Sequence, residues 1–140
     1  MKITIFFILI LSVFGFSACQ TASTQKAVDP LESGTQPGIV QISVAEAKPA
    51  VEVKDVQFID VRTVGEYTGG HAVKAANFPL DRLEQDLAKL DKGKPIYVIC
   101  RTGTRSQKGS EILQKAGFKN IYNINGGTSA WENAGFPMEK

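Results

Sequence analysis

Apolar residues fall into three regimes along this chain. The first is an uncharged run from Ile3 to Phe16, preceded by Lys2. The second, Gln20 to Gly38, is rich in Ser, Thr, Gln, Gly and Pro and has no apolar period. The third begins at Ile39, where short apolar runs alternate with helical spacings up to Pro137. Val40–Ile42 and Val56–Val61 read as strands. Between them Ser43 is a plausible N-cap for VAEAK, with Glu46 completing a capping box and Pro49 ending or kinking the helix. TVGEY reads as a short turn or helix that Gly69-Gly70 breaks, and Ala75–Phe78 as a third strand closed by Pro79.

Asp81–Leu90 carries Leu83, Leu87 and Leu90 at helical spacing behind an acidic first turn, and Lys92 to Pro95 stops it. Ile96–Ile99 is apolar without alternation, as a strand buried on both faces must be. A helix over Ser106–Ala116, capped by Gly117, leads to a fifth strand at Ile121–Ile124. Gly126-Gly127 then opens a last short helix, TSAWENA, closed by Gly135 and Pro137. Strict alternation of strand and helix predicts an α/β domain. Its sheet is expected to have five mainly parallel strands, with helices on both faces.

The same patterning divides the chain. Lys2, the apolar run and the small residues Ser17 and Ala18 before Cys19 make residues 1–19 a secretory signal, too short in its apolar part to span a bilayer comfortably. Residues 20–38 cannot bury enough apolar surface to offset the entropy of ordering, and read as a flexible tether reaching roughly 25 Å. Residues 39–140 suffice for one core. Without Lys2 the chain has 15 basic and 14 acidic residues, a net charge of +1 that gives no reason to expect a nucleic-acid partner. The chain has 2 cysteines. If Cys19 leaves the count, Cys100 is alone, and a solitary thiol in an exported protein points to a reactive one.

Cys100 lies where chemistry is expected. The segment CRTGTRS, Cys100 to Ser106, joins a buried strand to a helix, and ligands in such sheets bind beyond the carboxyl ends of the strands. Loop amides, a helix N-terminus and the guanidinium groups of Arg101 and Arg105 all favour an anion there, so Cys100 is expected as a low-pKa thiolate nucleophile. Thr102, Gly103 and Thr104 are expected to act through their N–H groups, with Gly103 admitting positive φ. Arg101 is read as binding the anionic end of a substrate. Arg105 has two roles open to it, contact with substrate or pairing with a carboxylate such as Asp60 or Glu66. Asp60, Arg62 and Ser106 are read as structural support. His71, the only histidine, could form a Cys–His dyad but lies within a Gly-His turn. One free Cys and one His are too few for a metal site, and no cofactor is expected.

Three separated segments resemble one family. IDVRTVGEYTGGHAVKAANFPL (Ile59 to Leu80), CRTGTRS and INGGTSAWENAGFP (Ile124 to Pro137) look like the three signatures of single-domain rhodaneses, the thiosulfate and persulfide sulfurtransferases. Lys74 departs from the pattern, which usually has Gly there. The resemblance implies an active Cys100 that takes the outer sulfur of a small anionic donor, becomes a persulfide, and passes that sulfur to cyanide, a thiol, or a redox or sulfur-acceptor protein. It also implies substrate-anion binding by the loop from Arg101 to Arg105. Related phosphatases use a loop one residue longer, so the six-residue loop favours sulfur over phosphate. A non-catalytic binding module and phosphatase or arsenate-type chemistry remain the alternatives.

FSAC, Phe16 to Cys19, resembles the lipobox of bacterial lipoproteins, with Phe16 where Leu is usual. This implies a lipidated Cys19 and a domain anchored in the bacterial envelope, facing the periplasm, held to the membrane through lipid alone. Several acyl chains anchor stably where one binds marginally. Cys19→Ala is therefore expected to move the protein from the membrane to the soluble fraction while sparing Cys100 chemistry. Fractionation and intact mass check this, and a wild-type protein recovered soluble and cleaved elsewhere would refute it.

Overall fold

The strand Ile96–Ile99 has all four residues buried and lies at the middle of a five-stranded sheet. The computed structural model describes residues 38–140; the expected signal, Cys19 and residues 20–37 of the expected tether lie outside the described residues. In chain order the elements are β1 (Ile39–Ile42), α1 (Val44–Ala50), β2 (Gln57–Asp60), α2 (Val64–Thr68), β3 (His71–Ala72), β4 (Ala76–Asn77) and α3 (Leu83–Asp86). They continue with β5 (Ile96–Ile99), α4 (Thr104–Lys115), β6 (Ile121–Ile124), α5 (Gly127–Asn133) and β7 (Met138–Glu139). The sheet runs β1-β6-β5-β2-β4, and every pairing in it is parallel. This is the expected α/β architecture.

Alternation along the strands divides the core between the two faces. Ile59, Val98 and Ile121 point to one side, where they pack with Leu83 of α3 and Leu113 of α4. Phe58, Tyr97 and Ile124 point to the other, against Ala47 of α1 and Trp131 of α5. Burial on both sides explains why β5 reads as an unbroken apolar run. The register pairs Asp60 with Ile99, so β2 and β5 end level and deliver their succeeding loops to one edge of the sheet.

Local signals set several boundaries. Ser43 and Glu46 form the expected capping box, with Ser43 N–H donating to Glu46 at 2.8 Å. Pro49 neither ends nor breaks α1 at once: Val51 N–H still reaches Ala47 O at 2.9 Å. α2 has a second capping box, Thr63 with Glu66, a signature that the bare TVGEY reading passes over. The expected helix over Asp81–Leu90 is shorter and divided. Only Leu83–Asp86 is α-helical, a 3-10 turn succeeds it over Leu87–Lys89, and Arg82 at the N-cap makes no side-chain capping bond. α4 begins at Thr104, two residues before the expected start, because Gly103 turns the chain at φ 107°. β3 and β7 form a separate antiparallel ribbon that no periodicity announces, since each is two residues long.

Asp60 and Arg62 tie the carboxyl end of β2 to its surroundings. Asp60 is fully buried, and its carboxylate accepts from Arg62 Nε at 2.8 Å and from the Arg62 guanidinium terminus at 2.6 Å. The same guanidinium donates to Gly70 O at 2.8 Å, and Asn77 Nδ2 donates to the carbonyls of both Asp60 and Arg62. Removing one member of a buried pair leaves an uncompensated charge and typically costs about 3–5 kcal/mol. Asp60→Ala is expected to lose stability on that scale in urea unfolding, and a loss no larger than that of an exposed substitution would show the pair to be dispensable.

Candidate active site

Strand β5 ends by placing Cys100 beneath a turn of backbone. The residue is 1% exposed, and its Sγ accepts a hydrogen bond from Gly103 N–H at 3.1 Å. Gly103, at φ 107°, is both the end of the loop and the N-cap of α4, a backbone state that L side chains rarely adopt. Its carbonyl accepts from Ser106 Oγ at 2.9 Å and Gln107 N at 3.0 Å, which locks the loop onto the first turn of the helix.

A second helix fixes the other half of the loop. Thr128 N–H donates to Cys100 O at 2.7 Å, and Ser129 N–H to Arg101 O at 3.1 Å. Two carbonyls that would repel an anion are thereby drawn toward α5. The approach is so close that a Cβ on Gly127 would lie 2.2 Å from Cys100 O and 2.6 Å from Arg101 C. Only glycine fits between the helix and the loop. The Gly126-Gly127 pair, which sequence alone places at a strand end, thus acts on the cysteine through its backbone.

Burial is the largest influence on the Cys100 thiol and pushes its pKa up, but hydrogen bonds outweigh it. The Ser106 hydroxyl and the amides of Ser106, Gly103 and Thr102 favour the thiolate, and the net shift is downward. The single Ser106 hydroxyl proton has two acceptors, the Gly103 carbonyl and the sulfur, and it lies along the Gly103 bond here. The loop amides act here as expected, joined by the Ser106 hydroxyl.

The arginines separate in role. Arg101 is exposed at the loop. Arg105 makes a two-pronged pair with Glu66, both bonds 2.7 Å. Of the roles open to Arg105, the structure shows the pairing, and with Glu66 rather than Asp60, which is occupied by Arg62. Arg105 holds the Glu66 carboxyl down at about 2, helped by the amide and hydroxyl of Thr63. The Thr63 capping box that starts α2 therefore also anchors the loop arginine. Arg105 lines a cleft of about 370 Å³ with Val61, Thr63, Leu80 and Asp81. Thr102 and Thr104 are exposed, and Ser106 is fully buried. His71 belongs to the β3–β7 ribbon, its ring stacked on Tyr67 at 3.7 Å and its Nδ1 3.1 Å from Tyr67 O.

Sequence reasoning missed one polar layer under the loop. Asn123 of β6, Gln41 of β1 and Gln107 of α4 join their carboxamides by bonds of 2.7 to 3.2 Å. The available signal was a polar residue inside the otherwise apolar strand IYNI.

A strand-end cysteine under a ring of loop amides, in a parallel sheet flanked by helices, defines the class. A rhodanese-like domain matches residues 43–134, and the chain belongs to the rhodanese-like family. A thiosulfate sulfurtransferase GlpE from Shewanella oneidensis is 32% identical over 93 residues, covering 66% of this chain and 92% of that protein. The uncharacterized protein YqhL of Bacillus subtilis is 38% identical over 78 residues, 56% of this chain, which spans only 62% of that protein's length. Among solved structures, a rhodanese-like domain protein from Staphylococcus aureus is 34% identical with a TM-score of 0.61, covering 66% of this chain and 90% of that one. A rhodanese-related protein from Thermoplasma volcanium is 28% identical with a TM-score of 0.65, covering 71% and 97%.

A depressed thiol pKa has a definite sign. The thiolate is the reactive form, so Cys100 is expected to alkylate with a pH midpoint below that of an ordinary thiol. The stabilisation linked to this shift is present above the unfolded-state pKa and lost as pH falls through the folded one. Ser106→Ala removes one thiolate donor and is expected to raise the midpoint, measured as alkylation rate against pH. An unchanged midpoint would show that the amides alone set it.

Proposed function

We propose that this protein is a sulfurtransferase that carries sulfane sulfur on Cys100. The observation that carries the reading is the Cys100 sulfur itself, held under the loop with Gly103 N–H 3.1 Å away and its pKa lowered by hydrogen bonds. Relatives bearing the name thiosulfate sulfurtransferase support it. In the first step the thiolate attacks the outer sulfur of thiosulfate. The new S–S bond forms as the old one breaks, and sulfite leaves with the bonding electron pair. Cys100 becomes an anionic persulfide, and charge is conserved without proton transfer. Preorganised amides stabilise that anion at no further cost in reorganisation. In the second step cyanide or a thiolate takes the outer sulfur and Cys100 returns to thiolate.

Two features favour sulfur over phosphate. Cys100 is 1% exposed, which suits attack on a protruding terminal sulfur rather than on a crowded tetrahedral centre. A phosphate clamp also needs an open guanidinium fork, whereas both prongs of Arg105 engage Glu66. Arg101, exposed at the loop, is assigned to the anionic end of the donor. The place of action proposed with this chemistry is the bacterial envelope, supported by the residues around Cys19.

Thiosulfate is expected to add one sulfur atom to the intact mass of the wild-type protein, and cyanide to remove it. Cys100→Ser is expected to do neither. A serine variant that still turned over, or a wild type that never gained mass, would overturn the assignment.

A further inference from the structure

Strand direction gives the sheet two unlike edges. Every pairing in it is parallel, so the segments that lead into the strands share the edge opposite the cysteine loop. Side-chain contacts join those segments. Lys94 Nζ lies 3.5 Å from Asp55, and Lys92 Nζ donates to Ala116 O at 2.6 Å. The chain also enters β1 here: a Cβ on Gly38 would lie 3.0 Å from Gln114 Nε2, in the last turn of α4.

This edge is basic. Segments 53–56, 91–95 and 115–120 hold five lysines, Lys54, Lys92, Lys94, Lys115 and Lys119, against two acids, Asp55 and Asp91. Their net charge of +3 exceeds the +2 of the whole chain, so the remainder is slightly acidic. At the cysteine edge the pairs Asp60–Arg62 and Glu66–Arg105 cancel. The basic edge is also apolar in part. Three large apolar residues are exposed among the described residues; Val53, 62% exposed, lies in this edge, and Val40, 44% exposed, at the start of β1. Exposed apolar groups beside lysines, whose stems are apolar and heads charged, suit the boundary of a bilayer with anionic headgroups.

We propose that this edge lies on an anionic lipid bilayer and turns the cysteine edge away from it. The inference rests on the envelope placement proposed above and adds a second membrane contact to the lipid on Cys19. Residues 20–38 join Cys19 to the basic edge, so the anchored end of the chain leads directly into it. Such joining makes the encounter intramolecular, and an attraction too weak to hold a free protein is then enough to orient a joined one. The orientation suits the chemistry. Ile96–Ile99 spans four residues, about 13 Å at the usual strand rise. Anionic headgroups repel an anionic donor over a Debye length of about 10 Å at 0.1 M salt, and Cys100 stands beyond that reach.

The test uses the full chain as a bacterium processes it, with intact mass reading the lipid on Cys19. The protein is placed on vesicles of phosphatidylcholine alone or mixed equally with phosphatidylglycerol. The acetylation rate of each lysine is then followed by peptide mass spectrometry. Lys54, Lys115 and Lys119 are expected to react about fivefold more slowly on the anionic vesicles, and raised salt to restore them. Lys108, exposed and nearer the cysteine end of α4, is expected to keep its rate. Lys115→Glu with Lys119→Glu is expected to remove the protection of Lys54 and to leave sulfur loading of Cys100 unchanged. Equal rates on both vesicles with lipid on Cys19 would overturn the face and leave the anchor standing. Protection that needs no anionic lipid would mark a contact between copies and overturn the face as well. A chain without lipid on Cys19 that is still protected on anionic vesicles would support the face and overturn the anchor. One that is not protected would overturn both.

Discussion

The hydrogen bonds from the first turn of α5 to the carbonyls of Cys100 and Arg101 are the contacts on which the site depends. A peptide loop has as many oxygens as N–H groups, and an anion tolerates only the latter. Thr128 and Ser129 hold two of the oxygens on the far side. That arrangement requires a helix backbone pressed against the loop, which in turn requires glycine at 127. The strands then need only end level, as the parallel register ensures. Neither contact involves a side chain that reacts.

Charge in the site is arranged in layers rather than concentrated. Arg105 looks from its place in the loop like an anion receptor, but Glu66 takes both its prongs. The pair holds the Arg105 side chain in place beside the loop. Glu66 in turn is fixed by the capping box of α2. Asp60 and Arg62 repeat the same device one layer deeper, at the end of β2. Burial, opposed by the hydrogen bonds of the amides and Ser106, governs the Cys100 thiol, and Arg101 stands exposed at the loop.

Much of this was legible in the residues. The strands of the main sheet are implied by apolar runs bounded by turn residues, and IYVI reads as central because nothing in it is polar. Cys100 was legible because of its surroundings in the chain. The features that stayed hidden depend on tertiary contacts. The β3–β7 ribbon joins residues far apart in sequence and too short to show a period. The division of the segment after Asp81 reflects Arg82 making no side-chain cap where a longer helix needs one. The choice of Glu66 over Asp60 by Arg105 turns on which carboxylate Arg62 has already claimed. The carboxamide layer showed only as one misplaced asparagine.

The place of β1 in the sheet also governs how the chain acquires its structure. β1 is the first described strand, yet its sheet partner is β6, with Ile39 opposite Ile121. These residues lie at opposite ends of the domain's sequence. Until β6 docks, β1 lacks this ladder, and Cys100 lacks the α5 amides that orient its loop. Closing so long a loop is slow compared with local helix formation. Before that closure the strand edge of β6 that pairs with β1 is open and the Cys100 loop lacks its α5 donors. The site is complete only when the end of the domain closes over its beginning.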